Sequence, residues 1–249
     1  MSEIFELAGT QPQLKLVTCV SNLDVLERCL LASPCIAKKR VQLLAYFNAS
    51  SAAEAFNAAM TSTPPGEWLV WVHQDVLLPE EWDREFAEAI GGALKEFESL
   101  AVAGVYGLSG YGDTALRAGK VLDRGQLLDE QTRLPTLADS LDELLVAVRS
   151  GHGLTFDPAL GFDFYATDVI LSARDRGFSA AVVNGFCEHW SDTPSTGTIS
   201  ARMAERICRS GAAFEAKWMH RFPIQTSWLL LERQGDVERF IRQFEWSET

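Results

Sequence analysis

The chain has 249 residues, 47% of them hydrophobic, which is an ordinary globular composition and enough for a sizeable core. Its 34 acidic residues against 22 basic ones give a formal charge of -12, which disfavours a polyanion as main partner and points away from nucleic-acid binding. Five cysteines, odd in number and without CxxC spacing, suggest neither a disulfide framework nor a zinc ribbon. The opening "MSEIFELAGTQPQLKLVTCV" lacks the basic start and long apolar run of a signal peptide. No apolar run approaches membrane-spanning length, so the expectation is a cytoplasmic protein without a transmembrane segment. Peripheral contact with a membrane surface stays open, because interfacial helices leave weak sequence signals.

In chain order, "LKLVTCV" (14 to 20) reads as a strand, and Ser21 and Asn22 form a turn or cap before a helix with Leu23, Leu26, Leu30 and Leu31 at helical spacing. "RVQLLAYFN" (40 to 48) is a second strand; Ser51 and Glu54 then stand in capping-box register before an alanine-rich helix that Pro64, Pro65 and Gly66 end. "EWLVWV" is a continuous third strand, as expected where helices cover both faces. It stops on His73, Gln74 and Asp75, and "PEEWDREFAEAIGG" predicts a helix opening at Pro79 and ending in glycines. "LAVAGVYG" (100 to 107) is a fourth strand, and residues 108 to 137, rich in glycine and charge, read as a long loop with room for a hairpin. "DELLVAVRS" (142 to 150) fits strand or helix, its valines favouring strand. A helix over 162 to 178 ending near Gly177 leads to a last strand, "SAAVVNGF". Polar "SDTPSTGT" (191 to 198) then precedes helical segments through Trp218 and near "GDVERFIRQFEW". The alternation predicts an α/β fold with a mostly parallel sheet over residues 1 to 191 and a helical C-terminal extension over 192 to 249.

Ligands of open α/β sheets bind beyond the carboxyl ends of the strands. Polar residues stand at four such ends: Ser21 with Asn22, Asn48, His73 to Asp75, and Glu188 with His189. A carboxylate and an imidazole from distant segments suit a divalent ion of the Mn or Mg type, the histidine shifting the choice towards Mn. An aspartate after a strand also serves as a helix N-cap, an alternative open to Asp75. Trp68, Trp71 and Trp82 read as core, and His152 and His220 as surface or loop residues.

Three stretches, "FNASSAAEAFNAAMTSTPPGEWLVWVHQDVLLPEEW", "ADSLDELLVAVR" and "LTFDPALGFDFYATDVILSARDRGFSAAVVNGFCEHWS", resemble GT-A-fold nucleotide-sugar glycosyltransferases, in particular a glycosyltransferase-2-like branch related to a streptomycin-biosynthesis protein. In that branch "HQD" stands where other members carry DxD, and the likeness runs in order from residue 14 to about 191. It implies a three-layer α/β/α GT-A domain that transfers a sugar from a UDP- or GDP-sugar donor to an unknown acceptor hydroxyl, with a divalent cation and inversion. By resemblance, Asp75 is the carboxylate that bridges cation and diphosphate, and His189 completes the metal site. Ser21 and Asn22 meet the nucleotide, Asn48, His73 and Gln74 line the site, and Asn57 approaches the base or ribose. Asp142 belongs to an element in which Glu143 replaces the usual glycine, and Asp168 is the general base.

Residue by residue, plainer roles stand beside these: capping for Ser21, Asn22 and Asp142, a solvated helix position for Asn57, and a first-turn acid for Asp168. Two other functions remain open. A metal-dependent nucleotidyltransferase would need a glycine-rich basic first loop, which "VTCVSNLDVLERC" does not supply. A non-catalytic module binding a nucleotide sugar or a protein would account for the departures from DxD and from glycine at 143.

Overall fold

The computed structural model describes residues 3 to 7, 14 to 191 and 198 to 247. In chain order the larger part comprises β1 (Glu3–Leu7), β2 (Leu14–Val20), α1 (Leu23–Arg28), α2 (Pro34–Ala37), β3 (Gln42–Phe47), α3 (Ala52–Thr61), β4 (Trp68–Val72), β5 (Val76–Leu77) and α4 (Trp82–Glu96). It continues with β6 (Leu100–Gly104), β7 (Tyr106–Ser109), β8 (Leu116–Asp123), β9 (Gln126–Asp129), β10 (Thr136–Leu137), β11 (Ser140–Leu141), β12 (Leu145–Arg149), α5 (Tyr165–Asp175), β13 (Ser179–Val182) and β14 (Cys187–His189).

The fold is mixed α/β. An eight-stranded sheet has the order β1-β3-β2-β4-β12-β6-β13-β10. Strands β2, β3 and β4 pair in parallel, as do β6 and β13, but β12 inserts antiparallel between β4 and β6 and both edges are antiparallel. The mostly parallel sheet expected from sequence is therefore a mixed one, because the 142 to 150 segment forms a central strand running against its neighbours. Both faces are covered, which explains the unbroken apolar runs. Leu26, Ile36, Phe86 and Ile90 fill one side, and Phe56, Ala59, Tyr165, Val169 and Ile170 the other.

A second sheet, β11-β7-β8-β14-β5 with β9 on β8, accounts for two further departures. "LAVAGVYG" is two strands, one in each sheet, broken at Val105. Residues 108 to 137 hold a long hairpin, β8 to β9, closed by Arg124 and Gly125, both at positive φ (48° and 79°), the geometry that matches strand twist in a two-residue turn. Gly119, at φ 104°, lies so close to the β6–β7 break that a Cβ there would stand 2.0 Å from the Val105 carbonyl oxygen. "SAAVVNGF" likewise ends early at Val182, and the chain crosses to the second sheet to form β14.

Helix α4 starts three residues later than Pro79 suggested and runs through Gly91 and Gly92, because Phe86, Ile90 and Ala93 keep one face in the core. The capping box at α3 is half formed: Ser51 accepts from the Glu54 N–H, while the Glu54 carboxylate turns to the N–H and hydroxyl of Ser50. Trp68, Trp71 and Trp82 are core, as read from sequence.

Beyond residue 191, most of the polar stretch (192 to 197), and with it the boundary drawn there, lies outside the described residues. The C-terminal part holds α6 (Ala201–Trp218) and α7 (Asp236–Ile241) and adds two small two-stranded sheets to the expected helices. It shares a third core with the larger part, Leu160, Phe164 and Leu171 packing against Phe214, Trp218, Val237 and Ile241. Buried Glu215 on α6 caps α7 from outside, its carboxylate accepting from the N–H groups of Gly235 (2.6 Å) and Val237 (2.9 Å). No helix among the described residues is long and apolar enough to cross a membrane.

Replacing Glu215 by alanine leaves these two N–H groups without acceptors, so Glu215→Ala is expected to lower stability by about 2 kcal/mol or more. Urea unfolding measures this, and an unchanged midpoint would contradict the capping role.

Candidate metal centre

Residues 73 to 75 carry the chain from one sheet to the other. The His73 N–H donates to the Leu144 carbonyl (3.0 Å), extending the β4–β12 ladder by one residue, and the Val76 N–H donates to the His73 carbonyl (3.2 Å) before β5 enters the second sheet. There Val76 faces His189 on β14, and His189 faces Asp123 on β8. The Trp190 N–H donates to the Asp75 carbonyl (2.9 Å), fixing the aspartate beside β14.

The register assembles a compact set of donors. His73 Nδ1 lies 3.9 Å and His189 Nε2 3.4 Å from the same oxygen, Asp75 Oδ1. One donor atom of each of these three residues lies within 4.8 Å of the others. Asp75 Oδ1 and His189 Nε2 are buried with no hydrogen-bond partner among the described residues, a costly arrangement unless something fills the space between them.

The far nitrogen of each imidazole is held, which decides where the lone pairs point. The Tyr165 hydroxyl lies 2.9 Å from the Glu143 carbonyl, 2.8 Å from Trp71 Nε1 and 2.8 Å from His73 Nε2. A carbonyl only accepts, so the single hydroxyl proton goes to Glu143, and the oxygen accepts from Trp71 and from His73. His73 therefore carries its proton on Nε2 and offers the Nδ1 lone pair towards Asp75. His189 Nδ1 donates to Asp123 Oδ1 (2.8 Å), which turns Nε2 towards Asp75. Such outer partners orient metal-binding histidines generally.

The charges fit. Burial pushes His73 down to about 4, outweighing the opposing pull of Asp75, so it is neutral and able to ligate. Burial also works against charge on His189, but Asp123 and Asp75 outweigh it and hold the ring up at about 9. In the ion-free protein a proton thus stands where a cation would. Burial likewise resists ionisation of Asp75, yet His189 and His73 keep it below the usual carboxylate range.

The other residues singled out from sequence separate into two groups. Gln74 ties the first loop to this centre: its Oε1 accepts from the N–H groups of Ser21 (3.0 Å) and Asn22 (3.1 Å), and its Nε2 donates to the Ser21 hydroxyl (2.8 Å). Asn22 also caps α1 through its side chain, so the capping alternative holds there and the loop's N–H groups are already engaged. Asp142 lies close enough for its charge to raise both histidines, while its Oδ1 accepts from the Leu144 N–H (3.1 Å) in a tight turn. Asp75 itself caps no helix, since α4 begins only at Trp82.

Three residues lie apart from the cluster. Asn48 is an exposed residue at φ 56° after β3. Asn57 is not a solvated helix position but pins the Phe156 backbone in both directions (2.8 and 2.9 Å). Its effect reaches the centre indirectly, because Phe156 stacks between Phe56 (3.8 Å) and Tyr165 (4.9 Å). Asp168 is 1% exposed and bound by Lys217 Nζ and Trp218 Nε1, both at 2.7 Å, which turns it towards α6 instead of an acceptor. Burial raises its pKa, and its Oδ1 ties α5 to α6.

Asp123 and the hydroxyl role of Tyr165 were missed from sequence. The signal for Asp123 was local: Gly125 in "DRGQ" stands between the short apolar runs "KVL" and "QLL", a hairpin pattern that places an aspartate at the end of a strand. No protein-family model matches this chain, and no curated protein matches it.

Proposed function

We propose that the protein is a divalent-cation-dependent glycosyltransferase that takes a UDP- or GDP-linked sugar as donor and passes the sugar to an acceptor hydroxyl. The observation that carries this reading is the meeting of His73 Nδ1, Asp75 Oδ1 and His189 Nε2, the last two buried without a hydrogen bond, beyond the carboxyl end of β4. That is where open α/β sheets place their ligands, and the first loop is tied to the same spot through Gln74. Two imidazoles and one carboxylate suit Mn better than Mg, which prefers oxygen donors alone.

When bound, the cation would act as a Lewis acid for the departing diphosphate. The chain's own part is to orient. Tyr165 and Asp123 fix the two rings, and Gln74 holds the first loop against the centre. Asp168 is not assigned the proton-accepting role expected from the resemblance, because it is buried and its Oδ1 is held by Lys217 and Trp218 of α6, although its Oδ2 has no hydrogen-bond partner among the described residues.

Calorimetric titration of the full chain with Mn should show one site, weakened at least about 100-fold in Asp75→Ala. It should be weakened about 10- to 100-fold in Asp123→Asn, which keeps shape but loses the carboxylate behind His189. UDP or GDP should raise the melting temperature only when Mn is present. No shift with either diphosphate in the presence of Mn would sink the nucleotide-sugar reading. Slow hydrolysis of a sugar nucleotide, lost in Asp75→Ala, separates catalysis from binding alone.

A further inference from the structure

The chain holds four asparagines, and one of them, Asn184, is followed by glycine. It lies in the crossing from the main sheet to the second, where β13 stops at Val182 and β14 begins at Cys187. The Val183 N–H still donates to the Gly104 carbonyl (2.9 Å), but the N–H groups of Asn184 and Gly185 have no hydrogen-bond partner among the described residues. Asn184 is exposed, and its side-chain amide is likewise unpaired there. Gly185, by contrast, is buried: a Cβ at this position would stand 2.7 Å from both Phe86 Cδ2 and Val105 Cγ1, and its carbonyl accepts from Trp82 Nε1 (3.3 Å). Packing therefore demands glycine after an exposed, untethered carboxamide, and glycine is the residue that leaves its own nitrogen least shielded.

We propose that Asn184 is a site of spontaneous deamidation, and that its conversion loosens the crossing that carries His189 into the second sheet. The Gly185 nitrogen, its proton lost to hydroxide, attacks Asn184 Cγ; a C–N bond forms, the bond to the side-chain amide nitrogen breaks, and that nitrogen leaves as ammonia. Water then opens the five-membered imide at either carbonyl, giving aspartate or isoaspartate, and is the sole co-reactant. The other asparagines lack this combination. Asn22 is held as the cap of α1, Asn57 bonds the Phe156 backbone through both ends of its amide, and exposed Asn48 is followed by Ala49, whose methyl group crowds the attacking nitrogen. Either product places a carboxylate where a neutral amide stood, and isoaspartate also lengthens the main chain by one carbon between Val183 and Gly185. Phe86 and Val105 close around Gly185 and leave it no room to absorb the change, so the displacement passes to β14, whose Glu188 and His189 pair with β5. The inference does not depend on the function proposed above.

Peptide mapping of the folded full chain, aged at neutral and at mildly alkaline pH, tests this. Asn184 is expected to convert ahead of Asn22, Asn48 and Asn57, faster at the higher pH and with isoaspartate among the products. Asn184→Gln, whose longer side chain would have to close a six-membered ring, is expected to abolish conversion at this position. Aged wild type should unfold at lower urea than fresh protein, while aged Asn184→Gln keeps its midpoint. An Asn184 that stays intact in the folded chain, under conditions where the urea-unfolded chain converts it, overturns the inference, as does conversion of Asn48 at an equal rate. A converted chain with the urea midpoint of fresh protein overturns the loosening of the crossing. If Asn184→Gln does not fold, Asn184→Ala carries the same comparison. None of these readouts involves the cation, so failure here is distinct from failure of the metal centre.

Discussion

The centre depends on the pairing of β14 between β5 and β8. That register, His189 opposite both Val76 and Asp123, puts one imidazole between two carboxylates that are 48 residues apart in sequence. A slip of one residue would turn His189 to the other face and leave Glu188 or Trp190 in its place, since strand side chains alternate. Everything chemically distinctive about the site follows from this ladder meeting the end of β4. The triplet at 73 to 75 is where the chain leaves one sheet to join the other, and a backbone leaving a sheet can present adjacent side chains in directions a continuous strand forbids.

Hydrogen-bond accounting then does the selecting. Each imidazole has two nitrogens, and in each case the outer one is committed, His73 to Tyr165 and His189 to Asp123. What remains is the His73 Nδ1 lone pair, the His189 Nε2 and the Asp75 oxygen facing one another, the last two buried without a hydrogen bond, an arrangement that is costly to leave unfilled. The same sites are electrostatically opposed: burial keeps His73 neutral, while two aspartates keep His189 charged. A cation, as proposed, would resolve both conditions, taking the place of the His189 proton and offering His73 a partner. It would also reverse the sign of the local field where, on the proposed function, an acidic chain meets a phosphate.

Much of the main sheet was legible because strands covered on both faces leave unbroken apolar runs, so β2, β3 and β4 stand close to where "LKLVTCV", "RVQLLAYFN" and "EWLVWV" placed them. The second sheet was not, because most of its strands are only two to four residues long. One apolar run, 100 to 107, belongs to both sheets, and periodicity carries no record of a change of partner at Val105. Asp123 was hidden for that reason, lying in a stretch whose glycines and charges read as loop. Asp75 and His189 do come together, but His73, read as lining, joins them as a donor, and Gln74 turns out to be a clamp on the first loop. Asp168 is held in a way its position in the sequence did not foretell. The burial that raises a carboxylate's pKa is present, yet Lys217 and Trp218 arrive from a helix whose packing the local sequence did not reveal.

The central claim is that two imidazoles and one carboxylate share a cation, and electron spin-echo spectroscopy of the Mn-loaded protein tests it most directly. Modulation from two directly bound imidazole nitrogens is expected, falling to one in His189→Ala and in His73→Ala. A spectrum without nitrogen coupling, at Mn concentrations that saturate the protein, would contradict the account.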